Sequence, residues 1–359
     1  MTTRRHFLAG MLATGLAPAP SWADAGSPMH LAAAKMPSGD YRLFGLSQTG
    51  AAVFSLPLPD RGHAAAAHPH RPEAVAFARR PGTFAIVIDC RSGTEIATLS
   101  TPQGRHFYGH GAFSADGRLL FTTENDFDAG EGRIGVWDRT AGYTRVGEFA
   151  SGGVGPHEIT RLPGTDTLVI ANGGIETHPD AGRAKLNIPT MRPNLTYTDL
   201  NGHVLDQLEL PENLHKNSIR HLAVRDDGLT AFAMQWQGGA GDPPLLGLHR
   251  MSQAPVLLQA DKGSHQRMQG YAGSVAFSSE ADRVAITSPR GGLIQVFDCA
   301  TNTHVATIAE EDVCGVSAGP TGFTTTAGNG TISHLSGVSP TATTRHDAQW
   351  DNHLVRITG

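Results

Sequence analysis

The chain has 359 residues, of which 43 are Gly and 22 are Pro, with 17% charged residues and a formal net charge of -5. Low charge with abundant turn formers points to an all-β chain. The absence of any Lys/Arg run or basic stripe excludes ordinary nucleic-acid binding.

At the N-terminus, Thr2-Thr3-Arg4-Arg5-His6-Phe7-Leu8 has the pattern of a twin-arginine export signal. A weakly apolar run follows, too short and too Gly-rich for a permanent membrane span. Ser21-Trp22-Ala23 fits an A-x-A-like cleavage site, so the leader is expected to cover residues 1–23. No Cys follows that site, so no lipid anchor or other stable membrane anchor is expected, and the chain is expected in the periplasm. The twin-arginine route exports folded proteins and often carries those that load a cofactor first. Residues 24–39 read as a linker.

From residue 40 the chain alternates strand and turn. Strands are expected at 41–46 and 51–56. A four-strand unit follows at 63–67, 74–78, 84–89 and 95–99. Four more such units start at His110, His157, His221 and Ser274. A sixth, less regular, covers residues 313–336, and a last strand at 354–357 stands alone. The repeat positions 63, 110, 157, 221, 274, 315 and 353 are spaced by 47, 47, 64, 53, 41 and 38 residues. That is the period of β-propeller blades. The expected fold is therefore a seven-bladed β-propeller over residues 40–359. The C-terminal strand and the strands near residue 41 share one blade and close the ring, which removes exposed edges. Phe113, Ile159, Val224 and Phe277 fall on the core-facing register. Cys90 and Cys299 occupy matching places in non-adjacent repeats, too far apart to bridge, so with Cys314 they read as small buried hydrophobes.

Three adjacent blades carry polar insertions at the same point, residues 173–194, 237–244 and 124–132. They are expected to rim one mouth of the central channel. Glu124, Asn125, Arg183, Lys185 and Asn187 in these insertions are candidate ligand-binding residues.

Five of the seven repeats place a histidine at the same point: His63, His110, His157, His221 and His353. Inner strands of a propeller line its channel, so these side chains are expected to converge on the axis. Imidazole is a good ligand for Fe, Cu, Zn and Ni. Three or four of them around one ion would hold a transition metal, iron or copper being the candidates, with Glu158 and Asp351 as orienting neighbours and Arg220 beside them. The offset of His110 from its turn differs from the structural Gly-His of WD-type repeats. A ligand-binding hub without metal, or histidines that only pack, remain the alternatives at this stage. The arrangement is similar in architecture to the histidine-lined copper hub of the nitrous oxide reductase propeller.

The stretches Gly109 to Gly117, Gly155-Pro156-His157-Glu158, Asn172-Gly173-Gly174-Ile175-Glu176-Thr177-His178-Pro179, Ser218-Ile219-Arg220-His221 and Trp350-Asp351-Asn352-His353 together resemble an uncharacterised family of exported, YVTN/WD-like seven-bladed propellers, a domain of unknown function. The resemblance covers about residues 40–357. Members are often encoded near imelysin-like iron-regulated proteins and a di-haem thiol-oxidoreductase-like protein. It therefore implies a periplasmic role in iron acquisition, with iron-uptake proteins as partners. The leading expectation is a propeller that binds a transition metal or metal complex. The alternatives are a lactonase-like metal-dependent hydrolase and a protein-interaction scaffold that uses the rim loops. No H-E-x-x-H motif or nucleophile elbow is present, which counts against the hydrolase alternative.

Overall fold

A computed structural model describes residues 19–79, 82 and 84–358. The twin-arginine motif at Arg4 and Arg5 lies outside them. The described residues form seven antiparallel four-stranded sheets. Blade one consists of Gly62–Ala67, Glu73–Ala78, Ala85–Asp89 and Thr94–Leu99. The inner strands of blades two to six are Arg105–Phe113, Pro156–Arg161, Asn217–Val224, Ser274–Phe277 and Val313–Ala318. Each inner strand touches the next, and Gln349–Arg356 touches both Val313–Ala318 and Gly62–Ala67, so the ring closes. The chain is an all-β, seven-bladed propeller, as the repeat period requires.

Blade seven is ordered Gln349–Arg356, His30–Lys35, Tyr41–Leu46, Ala52–Leu58. The C-terminal strand is innermost, and the N-terminal strands complete its sheet, with Leu31 opposite Val355 and Ala32 opposite Leu354. Part of the stretch expected as a linker, residues 24–39, is thus the second strand of the closing blade. Its sequence, His-Leu-Ala-Ala-Ala-Lys, carries weak β-propensity, and pairing on both edges with burial of Leu31 to Ala34 sets its conformation. Ahead of it Trp22–Ala25 makes one 3-10 turn. The Trp22 indole is buried beside Leu31, Leu43 and Leu58, and its Nε1 donates to the His68 carbonyl at 2.9 Å. Cleavage after Ala23 would remove this buried indole.

The sixth blade is complete. Its fourth strand, Ser339–Arg345, escapes sequence reading because it is an exposed outer strand with no apolar alternation. Blades meet through apolar clusters, such as Val75, Phe77, Phe107, Phe113 and Trp137 between blades one and two. Phe113, Ile159 and Phe277 are buried in such clusters, and Val224 is partly buried. All three cysteines are unbridged thiols, and burial pushes Cys90 and Cys314 up to about 12. No helix among the described residues is long and apolar enough to cross a membrane.

An inner strand runs from one mouth to its hairpin turn at the other, and the second strand runs back. Connections between second and third strands therefore lie at the mouth where inner strands begin, here the upper mouth. Residues 173–193 lie there as a real loop with two short 3-10 turns. The blade-two insertion is different. Leu119–Asp126 and Glu131–Asp138 stay paired to the Asp126–Glu131 position, so most of residues 124–132 is hairpin, not loop.

Candidate metal centre

In six of the seven blades, the pairing of the inner strand with its neighbour slips at one level. The slips fall between Gly62 and Ala65, Phe107 and Gly111, Pro156 and Glu158, and Ile219 and His221 in blades one to four. In blade seven the slip is opposite the stretch between Trp350 and Leu354. An extra residue in a strand bends it and re-aims the local side chain. Here the bend turns the repeated histidine out of the blade and onto the axis. In blade two the bulge includes Gly109 at φ +97°, and a Cβ there would stand 2.5 Å from the His63 ring. Glycine at 109 is what lets His63 and His110 approach each other.

The five rings form one cluster. Centroid separations are 5.0 Å for His63–His110, 5.2 Å for His110–His157, 4.8 Å for His157–His221, 4.8 Å for His221–His353 and 4.7 Å for His63–His353. Two triads each bring their nitrogens within 4.8 Å of one another: His63, His110, His157 and His110, His221, His353. The Nε2 atoms of His63 and His110 are 3.3 Å apart. Two imidazoles on one tetrahedral ion at about 2.0–2.1 Å would hold their nitrogens about 3.3 Å apart. Ser274 and Gly315, at the equivalent places of blades five and six, carry no imidazole, so the cluster is one-sided.

Burial is the main cause that lowers the pKa of every ring. His63 and His221 are brought to about 3, and His110, His157 and His353 lie well below the ordinary value. Neighbouring rings and Arg220 add to the effect at His157. All five are therefore neutral near pH 7 and offer lone pairs without losing a proton first. Three buried ring nitrogens, His63 Nδ1, His157 Nδ1 and His353 Nε2, have no hydrogen-bond partner among the described residues. An unsatisfied buried polar atom costs on the order of 1–3 kcal/mol, so three together form a place where a bound group would recover that cost.

Glu158 sits against the cluster. Its Oε2 is 3.1 Å from His221 Nδ1 and 3.9 Å from His110 Nδ1. Burial raises its carboxyl to about 7, partly countered by His353. It and His110, His221 and His353 head a channel of about 710 Å³ that opens at the lower mouth. Asp351 lies on the upper side, where it accepts from Arg61 Nε at 2.6 Å and lies 3.5 Å from Arg79 Nη1.

The other residues expected at the site divide. Arg220 stands by the cluster, close enough for its charge to act on His63, His157 and His221. Lys185 reaches Gln237 across the upper mouth. Arg183 is exposed in the 173–193 loop. Glu124 is fully buried within blade two and takes two hydrogen bonds from Arg145, at 2.6 and 2.9 Å. Asn125 donates to the Thr177 carbonyl at 3.0 Å and pins the long loop to blade two. Asn187 closes that loop on itself, with Nδ2 donating to the Gly174 carbonyl and Oδ1 accepting from the Glu176 amide. The structure thus gives Glu124, Asn125 and Asn187 fold-holding bonds rather than a place at the cluster. Sequence reading missed Arg61, Arg79, Tyr271 and Arg290 at the upper mouth. Arg61 had a signal, since it precedes His63 by two residues as Arg220 precedes His221 by one.

Among solved structures, the chain is similar to hydrazine synthase of Kuenenia stuttgartiensis, with 14% identity, 86% of this chain and 89% of that one covered, and a TM-score of 0.56. It is also similar to a chain in a crystal structure of the mitotic checkpoint complex, with 13% identity, coverage of 80% and 81%, and a TM-score of 0.57. At those identities the likeness is one of fold. No curated protein matches the chain. Residues 56–357 match the family described as "Protein of unknown function (DUF1513)", and the chain belongs to that family.

Proposed function

We propose that this protein is an exported propeller that holds a transition-metal ion, iron or copper, on the axial histidine cluster and serves iron acquisition. The observation that carries the metal reading is the convergence of five neutral imidazoles, three with a buried nitrogen that has no hydrogen-bond partner among the described residues. The set is nitrogen-rich and lacks thiolates, which suits Fe, Cu, Zn or Ni over Ca or Mg. The iron role and the partnership with periplasmic iron-uptake proteins rest on the family resemblance, and export rests on Arg4-Arg5-His6-Phe7-Leu8. His110 is the shared ligand, and Glu158 orients His221 through Nδ1.

A second reading is favoured by Glu158 alone. A carboxyl beside two imidazoles, facing a channel of about 710 Å³, has the position of a general base. A metal bound there would supply Lewis acidity toward a carbonyl substrate.

The test is elemental analysis by mass spectrometry on untagged protein exported through its own leader and purified without chelator. A near-stoichiometric transition metal is expected, lost in a folded His110→Ala/His157→Ala variant. Protein that is metal-free as purified and takes up no Fe, Cu or Zn on addition would overturn the metal reading.

A further inference from the structure

The upper mouth, above His63 and His157, is built from cations on four blades. Arg61 and Arg79 come from blade one, Lys185 from the blade-three loop, Arg220 from blade four and Arg290 from blade five. Arg61 and Arg79 meet at Asp351. The charges of Arg79, Arg61 and Arg220 all act on His63. Those of Arg220 and Arg290 act on Lys185, and those of Arg220, Arg290 and Arg79 act on Tyr271. The Arg290 guanidinium lies 4.3 Å from the centroid of the Tyr271 ring, which fixes its plane. Arg220 Nε lies 3.5 Å from where a Cβ on Gly173 would be, at the root of the long loop.

Five cations therefore converge on one opening of a chain whose net charge is -5. Carboxylates near the same place include Asp351, held by Arg61 and Arg79, Asp312, whose charge acts with that of Asp351 on Cys314, and Glu311, whose charge acts on Asp312. The lower mouth carries three arginines, Arg161, Arg225 and Arg356, of which Arg225 is tied to Asp227 and the Ala281 carbonyl, and Arg161 donates to the Leu162 and Thr165 carbonyls. Four of the five upper cations are guanidiniums, whose planar forks match carboxylate and phosphate oxygens two at a time. A cleft of one sign also concentrates ions of the other.

We propose that the upper mouth is a binding site for a small multivalent oxyanion, a polycarboxylate or a phosphate, seated between Arg79, Arg220 and Arg290 above the histidine cluster. The site stands without the metal. It uses guanidiniums, and the imidazoles below are neutral.

Isothermal calorimetry on chelator-treated full-length mature protein tests this, with citrate and inorganic phosphate as separate probes. Saturable binding of at least one probe is expected, weakened at least tenfold in Arg79→Gln/Arg220→Gln and in Arg290→Gln. Citrate binding alone assigns a polycarboxylate, and phosphate binding alone assigns a phosphate. Arg161→Gln/Arg356→Gln, a charge-matched change at the lower mouth, should retain the wild-type affinity, and so should His110→Ala. Circular dichroism checks that each variant folds, and Arg290→Gln, at an exposed position, keeps the test alive where the double variant does not. Failure of both probes to bind, or equal loss in the lower-mouth variant, would overturn the proposal. Wild-type protein that takes up no metal yet binds the oxyanion would instead refute only the metal reading.

Discussion

His110 belongs to both histidine triads, whereas His157 and His353 belong to one each. Replacing His110 with Ala should therefore damage metal binding more than either of the other changes. Structural zinc sites bind with about 10–16 kcal/mol over four ligands, so one ligand accounts for about 2.5–4 kcal/mol. That corresponds to an affinity loss of roughly a hundredfold to several hundredfold for His110→Ala. In His157→Ala the triad of His110, His221 and His353 remains, and in His353→Ala the triad of His63, His110 and His157 remains. Of these two variants, the one that breaks the occupied triad should show the larger loss, still smaller than that of His110→Ala. The assay is competition against a chromophoric chelator, with metal content by mass spectrometry and the fold checked by circular dichroism. Which single variant fails also identifies the side of the cluster that holds the ion, the upper mouth for His157 and the lower channel for His353. Wild-type affinity in folded His110→Ala would refute the shared-ligand geometry, and so would equal, full loss in all three.

Trp22→Ala should destabilise the protein by about 3–5 kcal/mol, the usual cost of emptying a buried aromatic site, read as a lower denaturant midpoint; mass spectrometry of the exported chain should likewise find Trp22 retained, and an unchanged midpoint would count against its place in the core. His30 is buried, its Nε2–H donates to the Ala318 carbonyl at 3.0 Å, and burial lowers its pKa from 6.5 to about 4. Between those values the unfolded chain takes up a proton that the folded chain refuses, so stability is full above pH 6.5 and falls as pH drops toward 4, by about 3 kcal/mol for this group. His30→Gln should flatten the pH dependence of unfolding by that amount, and an unaltered slope would contradict it. Glu124→Ala leaves Arg145 without its buried partner and should cost about 3 kcal/mol, at the low end for such pairs because Arg145 keeps Glu148. Its metal content should equal wild type, whereas loss of metal in a folded variant would return Glu124 to the site.

What could be read from the sequence was whatever repeats in a blade's own frame. His63, His110, His157, His221 and His353 recur at one offset, so their convergence was legible once the propeller period was. The turn Gly residues and the apolar inner strands gave the seven blades for the same reason. The strand His30–Lys35 was illegible because Ala-rich sequence has no β signature, and only pairing between Gln349–Arg356 and Tyr41–Leu46 makes it one. The Glu124 stretch misled because a polar, Gly-flanked run looks like a loop, while the half-buried Arg145 partners the buried Glu124 and keeps it in a hairpin.

The upper mouth was hidden for a further reason. Its cations occupy three different kinds of repeat position. Arg61 and Arg220 sit just ahead of inner-strand histidines, Arg79 and Arg290 each follow a second strand, and Lys185 lies in a loop. No single spacing links all five, and each alone looks like a solvated surface charge. Their charges sum only because a closed ring brings the start of every inner strand to one opening. The same closure sets neutral imidazoles directly beneath. Burial keeps those imidazoles uncharged, and the arginines at the rim oppose their protonation further, as the action of Arg79, Arg61 and Arg220 on His63 illustrates. The cationic rim and the nitrogen-rich floor are thus electrostatically compatible: one attracts anions without protonating or masking the lone pairs of the other. A free cation would meet repulsion at this mouth, while the same metal carried in an anionic carboxylate complex would be drawn in. Entry of bare metal would then favour the lower channel headed by His110, His221 and His353, which is the distinction that the His157→Ala and His353→Ala pair reads out.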